Sequence, residues 1–409
     1  MAANRSLLLI LLAYIAFISL GLPDGLLGVA WPSMRSDFNL PLDALGTLLI
    51  GSTCGYMLSS FVSGAVSRRL GIGRLLAVSC ATTALALIGY ALAPYWWLLI
   101  GLALLLGLGA GAIDAGLNNY VATHHSDRMM QWLHASFGVG VTLGPLIMTA
   151  GLKLTGNWHP GYWTVGLAQL ALALVFLLTA PLWLQRSADT PPEAPAQLSD
   201  DAGKVSTTRP DLLQPASLFK SMRTLSVWLS MLLFFCYTGL ELTMGLWTYS
   251  LLAESRGFSV ATAGLWVSIY WGMFTLGRLL AGAFANWLGH QRLIWGSLGL
   301  ALIGAILLIW NPANAVGLFA IGLIGFAFAP VFPGLVSGTS HRVGKAHQDN
   351  TMGMQIAAAG IGGAGLPALS GVLAARFSLE IVPWALLVAL LLLAGFYWLS
   401  LSQFSRSRN

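Results

Sequence analysis

Apolar runs of about 18 or more residues recur along the chain, separated by short segments rich in charge, proline or glycine. A membrane-spanning helix needs about 20 such residues, whereas a barrel strand is an alternating segment of about 10. The pattern therefore predicts an all-α membrane protein with twelve transmembrane helices. We place these helices at residues 6–31, 43–67, 74–93, 96–121, 131–153, 160–184, 223–250, 259–285, 291–309, 313–338, 349–374 and 380–402.

One polar and proline-rich stretch, residues 185–222, interrupts this pattern. It contains three prolines within Thr190–Pro195 and the acidic pair Asp200-Asp201, a composition typical of a linker. We therefore expect an N-terminal six-helix bundle over residues 1–184, a cytoplasmic linker over 185–222, and a C-terminal six-helix bundle over 223–409. The last part of the linker, Asp211 to Arg223, could form a short interfacial helix.

Composition and charge support a membrane protein. Charged residues make up 8% of the chain, against roughly 25% in a soluble domain. With the N-terminus inside, fifteen of the twenty lysines and arginines lie on the cytoplasmic side and four on the outer side, with Arg278 within a span. This asymmetry indicates topology and does not indicate nucleic-acid binding. We expect a multi-pass, monomeric protein of the bacterial inner membrane, with both termini cytoplasmic and the lipid bilayer as its surroundings.

Three motifs recur in the second half of the chain at an offset of roughly 220 residues, as expected for an internal repeat. Internal symmetry between two six-helix halves is typical of transporters whose substrate site lies at the repeat interface near the midplane. The matched positions are Gly46, Gly64 and Arg74 with Gly264, Gly282 and Arg292; Asp24 and Gly28 with Glu241 and Gly245; and Gly140 and Pro145 with Gly362 and Pro367.

Only three of the fourteen acidic residues, Asp24, Asp114 and Glu241, lie deep in apolar spans. A charged side chain there costs about 2.5 to 3.5 kcal/mol, so each acid should face a wet cavity, find a partner or carry a proton. We take all three as candidates for proton coupling. The alternative is a structural acid that bonds the backbone at a helix irregularity, for which Pro23 makes Asp24 the main candidate.

Several further side chains are candidates for contact with a polar solute. Asn118 lies one helical turn from Asp114 and shares its face, and amides can bind hydroxyl groups. Asn119, His134 and Gln355 could bind solute or instead join helices by hydrogen bonds. The deeper aromatic residues are pocket candidates, whereas aromatics at span ends suit the membrane interface. These pocket candidates are Tyr56, Tyr237, Trp266, Tyr270 and Trp271.

The residues around the second and third helices resemble the major facilitator superfamily. That family has a glycine- and arginine-rich loop here, matched by residues 64–74 and again by residues 282–292, although both copies lack the family's aspartate. The resemblance implies gating or structural roles for Arg68, Arg69, Arg74 and Arg292. Arg278, near the predicted end of the eighth helix, is expected to extend its charge towards the interface or to stabilise a gate.

A narrower resemblance is to the fucose:proton symporters and related sugar permeases. The matching segments are Gly111–Asn119, with Asp114 four residues before Asn118, then Ser136-Phe137-Gly138 and Phe235–Gly239. The resemblance implies proton roles for Asp114 and Asp24 and contact with sugar by the nearby amides. Where that group has an amide in the seventh helix, this chain has Glu241.

Our leading hypothesis is a secondary transporter that couples uptake of a small polar solute, such as a monosaccharide, to protons by alternating access. The alternative is a proton-driven efflux antiporter, because Gly138, Gly140, Gly144 and Pro145 resemble a glycine-proline signature of antiporters. Sodium could replace the proton in either case. No pattern of metal ligands or nucleophiles points to an enzyme, and no cofactor is implied.

Overall fold

The computed structural model describes residues 2–189 and 217–406, and all regular structure in these two ranges is helical. Twelve of the described helical segments are long and apolar enough to cross a membrane, which confirms the predicted fold class. The helices are α1 (Ala2–Asp37), α2 (Leu45–Leu70), α3 (Ile72–Leu92), α4 (Trp96–His124), α5 (Asp127–Thr155), α6 (His159–Asp189), α7 (Leu218–Met222), α8 (Leu225–Ser250), α9 (Val260–Leu288), α10 (His290–Trp310), α11 (Asn314–Phe328), α12 (Val331–Ser337), α13 (Thr339–Val343), α14 (Gln348–Arg376) and α15 (Ile381–Arg406).

The tenth predicted span, residues 313–338, is confirmed as Asn314–Ser337, but its helix is interrupted. It is divided into α11 and α12, with Pro330 between them. Proline lacks the N–H group that would continue the helical hydrogen bonds, so the chain bends at this point. A further short helix, α13, follows Gly338.

Other helix ends also differ from the prediction. The first predicted helix continues to Asp37 in α1, and the eighth predicted helix continues to Leu288 in α9. A π-helical turn at Leu251–Ser255 extends α8 by five residues. The expected interfacial helix at 211–223 is described only as α7, because residues 190–216 lie outside the described part of the chain.

The internal repeat is visible in the backbone. Gly71 follows α2 with φ 78° and ψ 153°, and Gly289 follows α9 with φ 75° and ψ 149°. These left-handed angles favour glycine, so both loops depend on it in the same way. Helix packing repeats as well: Gly140 of α5 lies against the carbonyl of Ile18, and Gly362 of α14 lies against the carbonyl of Phe235.

The first six spans (α1–α6, the N-terminal set) contact the last six (α8–α15, the C-terminal set) mainly through three helix pairs, α1 with α8, α2 with α14 and α5 with α9. An even number of spans puts both termini on one face, called here the terminal face. Two close contacts between the sets lie towards the opposite face, the first of which is the ion pair of Arg35 with Glu254 at 2.9 Å. A Cβ at Gly28 would lie 2.8 Å from the carbonyl oxygen of Gly245.

Candidate substrate and proton site

Asp114 of α4 is hydrogen-bonded from two sides. The hydroxyl of Tyr56 donates to its Oδ2 at 2.5 Å, and the amide of Asn118 donates to its Oδ1 at 2.9 Å. Asn118 also donates to the Asp114 carbonyl at 3.0 Å. A carboxylate with two donors is well stabilised within the membrane, and the Asn118 amide is already used by its own helix.

Two glycines of α4 make this arrangement possible. Gly107 packs against the carbonyl of Ser52, and Gly111 packs against the carbonyl of Tyr56. Small residues at such crossings let two helix backbones approach closely. The close approach of α2 and α4 brings the Tyr56 hydroxyl within reach of Asp114.

Asp24 follows Pro23 near the middle of α1 and is exposed. Pro23 cannot donate the helical hydrogen bond to the carbonyl of Ser19. The amide of Gln169 in α6 donates to that carbonyl instead, at 3.1 Å. Asp24 forms no hydrogen bond with another described side chain. It lies close enough to Glu241 for the two like charges to repel each other. The helix irregularity is therefore satisfied by Gln169, which leaves the Asp24 carboxylate free.

Glu241 of α8 lies opposite Arg278 of α9. Nη2 of Arg278 is 4.0 Å from Oε1 of Glu241, and its guanidinium lies 4.3 Å above the ring of Phe274. The helix α9 continues ten residues beyond Arg278 to Leu288. Arg278 therefore lies within α9 and faces an acid of the neighbouring helix.

A cavity of about 100 Å³ lies between the two sets of helices, beside Asp24. Its polar lining includes Asp24, Ser52, Tyr90, Tyr162 and Trp271, and the indole nitrogen of Trp271 is buried and has no partner among the described residues. The complete lining is Pro23, Asp24, Leu27, Leu48, Leu49, Ser52, Tyr90, Leu106, Tyr162, Leu242, Gly245, Leu246 and Trp271.

Three of the predicted pocket aromatics contact helix α11 and do not line this cavity. The hydroxyl of Tyr237 donates to the Phe328 carbonyl at 2.8 Å, and Tyr270 packs against Gly325. The ring of Trp266 approaches Gly322. Tyr237 and Tyr270 are fully buried, so these positions serve helix packing in this conformation.

Gln355 of α14, a predicted solute contact, forms part of a buried polar cluster. Its amide donates to the Ser230 hydroxyl at 2.6 Å and to the Thr339 hydroxyl at 3.1 Å. Arg342 donates to the Leu335 carbonyl at 2.5 Å and to both hydroxyls at longer range. Burial lowers the pKa of Arg342 to about 10, so it remains protonated at neutral pH. The cluster joins α8, α13 and α14.

The remaining predicted residues lie nearer the terminal face. His134 is exposed, and its ring makes an edge contact with Phe17. The side chain of Asn119 is exposed. The predicted gating arginines Arg68, Arg69, Arg74 and Arg292 are also exposed, and none of them forms an ion pair with a described residue.

Three cavity residues could not be identified from the sequence. Tyr90 and Tyr162 are buried and stack obliquely with centroids 5.3 Å apart, yet each lies near a span end, where aromatics are common for other reasons. Ser52 is one small polar residue in an apolar run. No local sequence pattern distinguishes these three residues. Gly107 of α4 packs against the Ser52 carbonyl, so Ser52 lies where α2 faces α4.

Residues 13–364 match the sequence profile of the Major Facilitator Superfamily. The chain belongs to this superfamily and is a transporter. It is 24% identical over 401 residues to sodium-dependent glucose transporter 1 of Homo sapiens, covering 88% of this chain and 73% of that protein. It is 23% identical over 366 residues to the glucose/mannose transporter GlcP of Bacillus subtilis (strain 168), covering 88% and 86%.

The fold is also that of a solved superfamily structure. A bacterial homolog to the human lysosomal transporter Spinster, in an inward-facing and occupied conformation, superposes with a TM-score of 0.71 and covers 98% of both chains. The two sequences are 13% identical, so this likeness concerns the fold alone.

Proposed function

We propose that this transporter couples the uptake of a neutral monosaccharide to protons by alternating access. The observation that carries the proposal is the convergence of three membrane-depth carboxylates from both sets of helices. Asp114 is hydrogen-bonded by Tyr56 and Asn118, while Asp24 interacts with Glu241 across the interface. Charged side chains at this depth are costly and typically mark ion pathways.

In this proposal Asp114 and Asp24 exchange protons, and the solute occupies the region between the sets beside Asp24 and Trp271. The names of the human and Bacillus relatives support a hexose as the solute. Sodium remains an alternative coupling ion, as the name of the human relative suggests.

The two sets would act as two six-helix bundles, residues 1–184 and 223–409, joined by a linker and rocking about the site. We propose a monomer in a bacterial inner membrane with both termini cytoplasmic. The excess of basic residues on the terminal face supports this orientation. The contacts Arg35–Glu254 and Gly28–Gly245 then close the outer side, so this conformation faces inward.

Efflux remains the second candidate, on the basis of the glycine-proline segment of α5. In the structure Gly140 packs against Ile18, and a Cβ at Gly144 would lie 2.8 Å from the Cα of Gly25. This packing between α5 and α1 gives the segment a structural role that either direction of transport could use. The segment alone therefore does not favour export.

The deciding experiment follows external pH in lightly buffered, de-energised vesicles after addition of D-glucose, D-mannose, D-galactose or L-fucose. Symport predicts alkalinisation by at least one sugar, lost in Asp114→Asn and retained in the control Asp43→Asn, which changes an acid near the start of α2. Sugar uptake that needs sodium and leaves pH unchanged would assign sodium coupling. No response to any sugar, with proton release on addition of lipophilic cations, would support efflux and contradict the proposal.

A further inference from the structure

The ion pair of Glu241 and Arg278 is incomplete. The 4.0 Å between Oε1 and Nη2 is too long for a direct hydrogen bond. Nη2 can therefore still donate a hydrogen bond to a third group, and Oε1 can still accept one from it. Nε of Arg278 is buried and has no partner among the described residues. A buried donor without an acceptor is costly, which indicates that a ligand or water completes the site.

The neighbouring tyrosines do not complete the pair. Tyr270 donates its proton to the Glu241 backbone carbonyl at 2.9 Å. Tyr237 lies within hydrogen-bonding range of the Glu241 carboxylate, and its hydroxyl also donates to the Phe328 carbonyl at 2.8 Å. A phenol has one proton to donate, so Tyr237 serves at most one carboxylate oxygen, and the proton of Tyr270 is already used. The carboxylate and the guanidinium are therefore the groups left to bind something between them.

The internal repeat shows that this pair is particular to the C-terminal set. At the offset of 218 that relates Gly64 to Gly282, Phe274 corresponds to Tyr56 and Arg278 to Ser60. In the N-terminal set, Tyr56 bonds an acid and Ser60 donates to the Tyr56 carbonyl at 2.8 Å. One set thus holds a carboxylate satisfied by neutral donors, and the other holds a cation and an anion that are not in direct contact.

A hydroxyl group fits this gap better than an ion. A hydroxyl oxygen placed at about 2.8 Å from both Nη2 of Arg278 and Oε1 of Glu241 accepts a hydrogen bond from the guanidinium and donates one to the carboxylate. A solute cation would pair with Glu241 and leave Arg278 unpaired, and a solute anion would pair with Arg278 and leave Glu241 unpaired. The arrangement therefore selects a neutral, hydroxylated molecule.

We propose that Glu241 and Arg278 form a clamp that binds one hydroxyl group of the transported solute. This inference rests on the proposed function and refines it, because it assigns Glu241 to solute binding and leaves Asp114 and Asp24 to the proton. It also gives Arg278 a role in specificity where the sequence suggested a gate.

The test is a comparison of sugar analogues in proteoliposome counterflow, in which internal unlabelled sugar drives entry of labelled sugar at equal pH on both sides. The probes are D-glucose, D-mannose, D-galactose and L-fucose, followed by the monodeoxy analogues of the best of them. In the wild type, one analogue should bind roughly tenfold or more weakly than its parent, as expected for a lost hydrogen bond to a charged group. That analogue identifies the clamped hydroxyl.

Arg278→Gln and Glu241→Gln should each weaken binding of the parent sugar by roughly tenfold and bind the parent and that analogue about equally. Arg376→Gln, an exposed arginine at the end of α14, is the control and should discriminate like the wild type. Glu241→Gln keeps the shape of the side chain. It therefore provides a second test of the clamp if Arg278→Gln does not fold.

Two results would overturn the clamp. If both variants discriminate between parent and analogue as the wild type does, the hydroxyl is bound elsewhere while the proposed function stands. If wild-type vesicles show no counterflow with any of the four sugars, the proposed function fails first and the clamp with it.

Discussion

The hydroxyl of Tyr56 donates a 2.5 Å hydrogen bond to the carboxylate of Asp114, 58 positions further along the chain. Tyr56→Phe removes this donor and leaves the ring in place. A hydrogen bond to a charged group contributes about 1.5 to 3 kcal/mol, so we expect proton-driven sugar uptake to fall by roughly tenfold or more. Counterflow, which needs no net proton movement, should change less. Initial rates in vesicles measure both, with the exposed Tyr95→Phe as control, and an unchanged uptake rate would exclude a role for this bond.

The contact of Arg35 with Glu254 at 2.9 Å joins α1 to the end of the α8 span on the face opposite the termini. Arg35→Glu should open this face in a larger fraction of molecules, because two like charges then meet. The effect should be a few-fold in population, since exposed pairs contribute about 0.2 to 1 kcal/mol. The double exchange Arg35→Glu with Glu254→Arg should restore the wild-type distribution.

Spin labels at Leu154→Cys and Phe377→Cys, two exposed positions on this face in different sets, would report the distance between them. The background should lack Cys54, Cys80 and Cys236. If the single and double variants give the same distance distribution, the ion pair does not stabilise closure.

Gly264 of α9 lies directly against the side chain of Thr149 of α5, so that a Cβ there would overlap the Thr149 hydroxyl. Gly264→Ala should therefore destabilise the present conformation and reduce transport severalfold, although alanine favours helices over glycine by about 1 kcal/mol. Thr149→Ala should partly relieve the defect. The control Gly299→Ala places its methyl in open space. Equal transport by Gly264→Ala and Gly299→Ala would show that the contact is not restrictive.

Glu380, in the loop before α15, accepts hydrogen bonds from Arg256 at 2.9 Å and 2.8 Å. These bonds hold the pKa of the Glu380 carboxyl below its ordinary value. A depressed pKa stabilises the fold above the ordinary glutamate pKa, and this contribution is lost as pH falls through the lower value. Glu380→Gln should therefore lower the thermal unfolding midpoint at pH 7. The difference from the wild type should shrink as pH is lowered below the ordinary glutamate value, and a difference independent of pH would contradict this linkage.

Much of the architecture could be predicted because the bilayer imposes one length on every span. The twelve apolar runs were readable along the chain, as were the repeated loops at residues 64–74 and 282–292, which contain Gly71 and Gly289. The break at Pro330 was missed because proline also occurs inside unbroken helices here, as at Pro145 in α5. Composition alone does not decide which proline bends a helix.

The site was only partly predictable. Asp114 and Asn118 are four residues apart on one helix, so helical geometry alone brings them together. The partner of Glu241, by contrast, depends on how α8 and α9 pack, and Arg278 lies 37 positions away in the chain. Tyr237 and Tyr270 had the residue type and depth of a pocket residue, yet their hydroxyls bond backbone carbonyls. Residue type shows what a side chain can bind, and packing decides which partner it has.

Gln355 is a further case in which packing, and not residue type, determines the role. It is 1% exposed and bonds Ser230 and Thr339 within the cluster that also holds Arg342. Gln355→Leu should leave these hydroxyls with fewer partners, at a cost of about 1 to 3 kcal/mol, and lower the thermal unfolding midpoint. The half-saturation concentration for sugar should stay unchanged, because the Gln355 amide is already bonded to Ser230 and Thr339. The exposed Gln291→Leu is the matched control for stability, and a raised half-saturation concentration with unaltered stability would return Gln355 to the solute site.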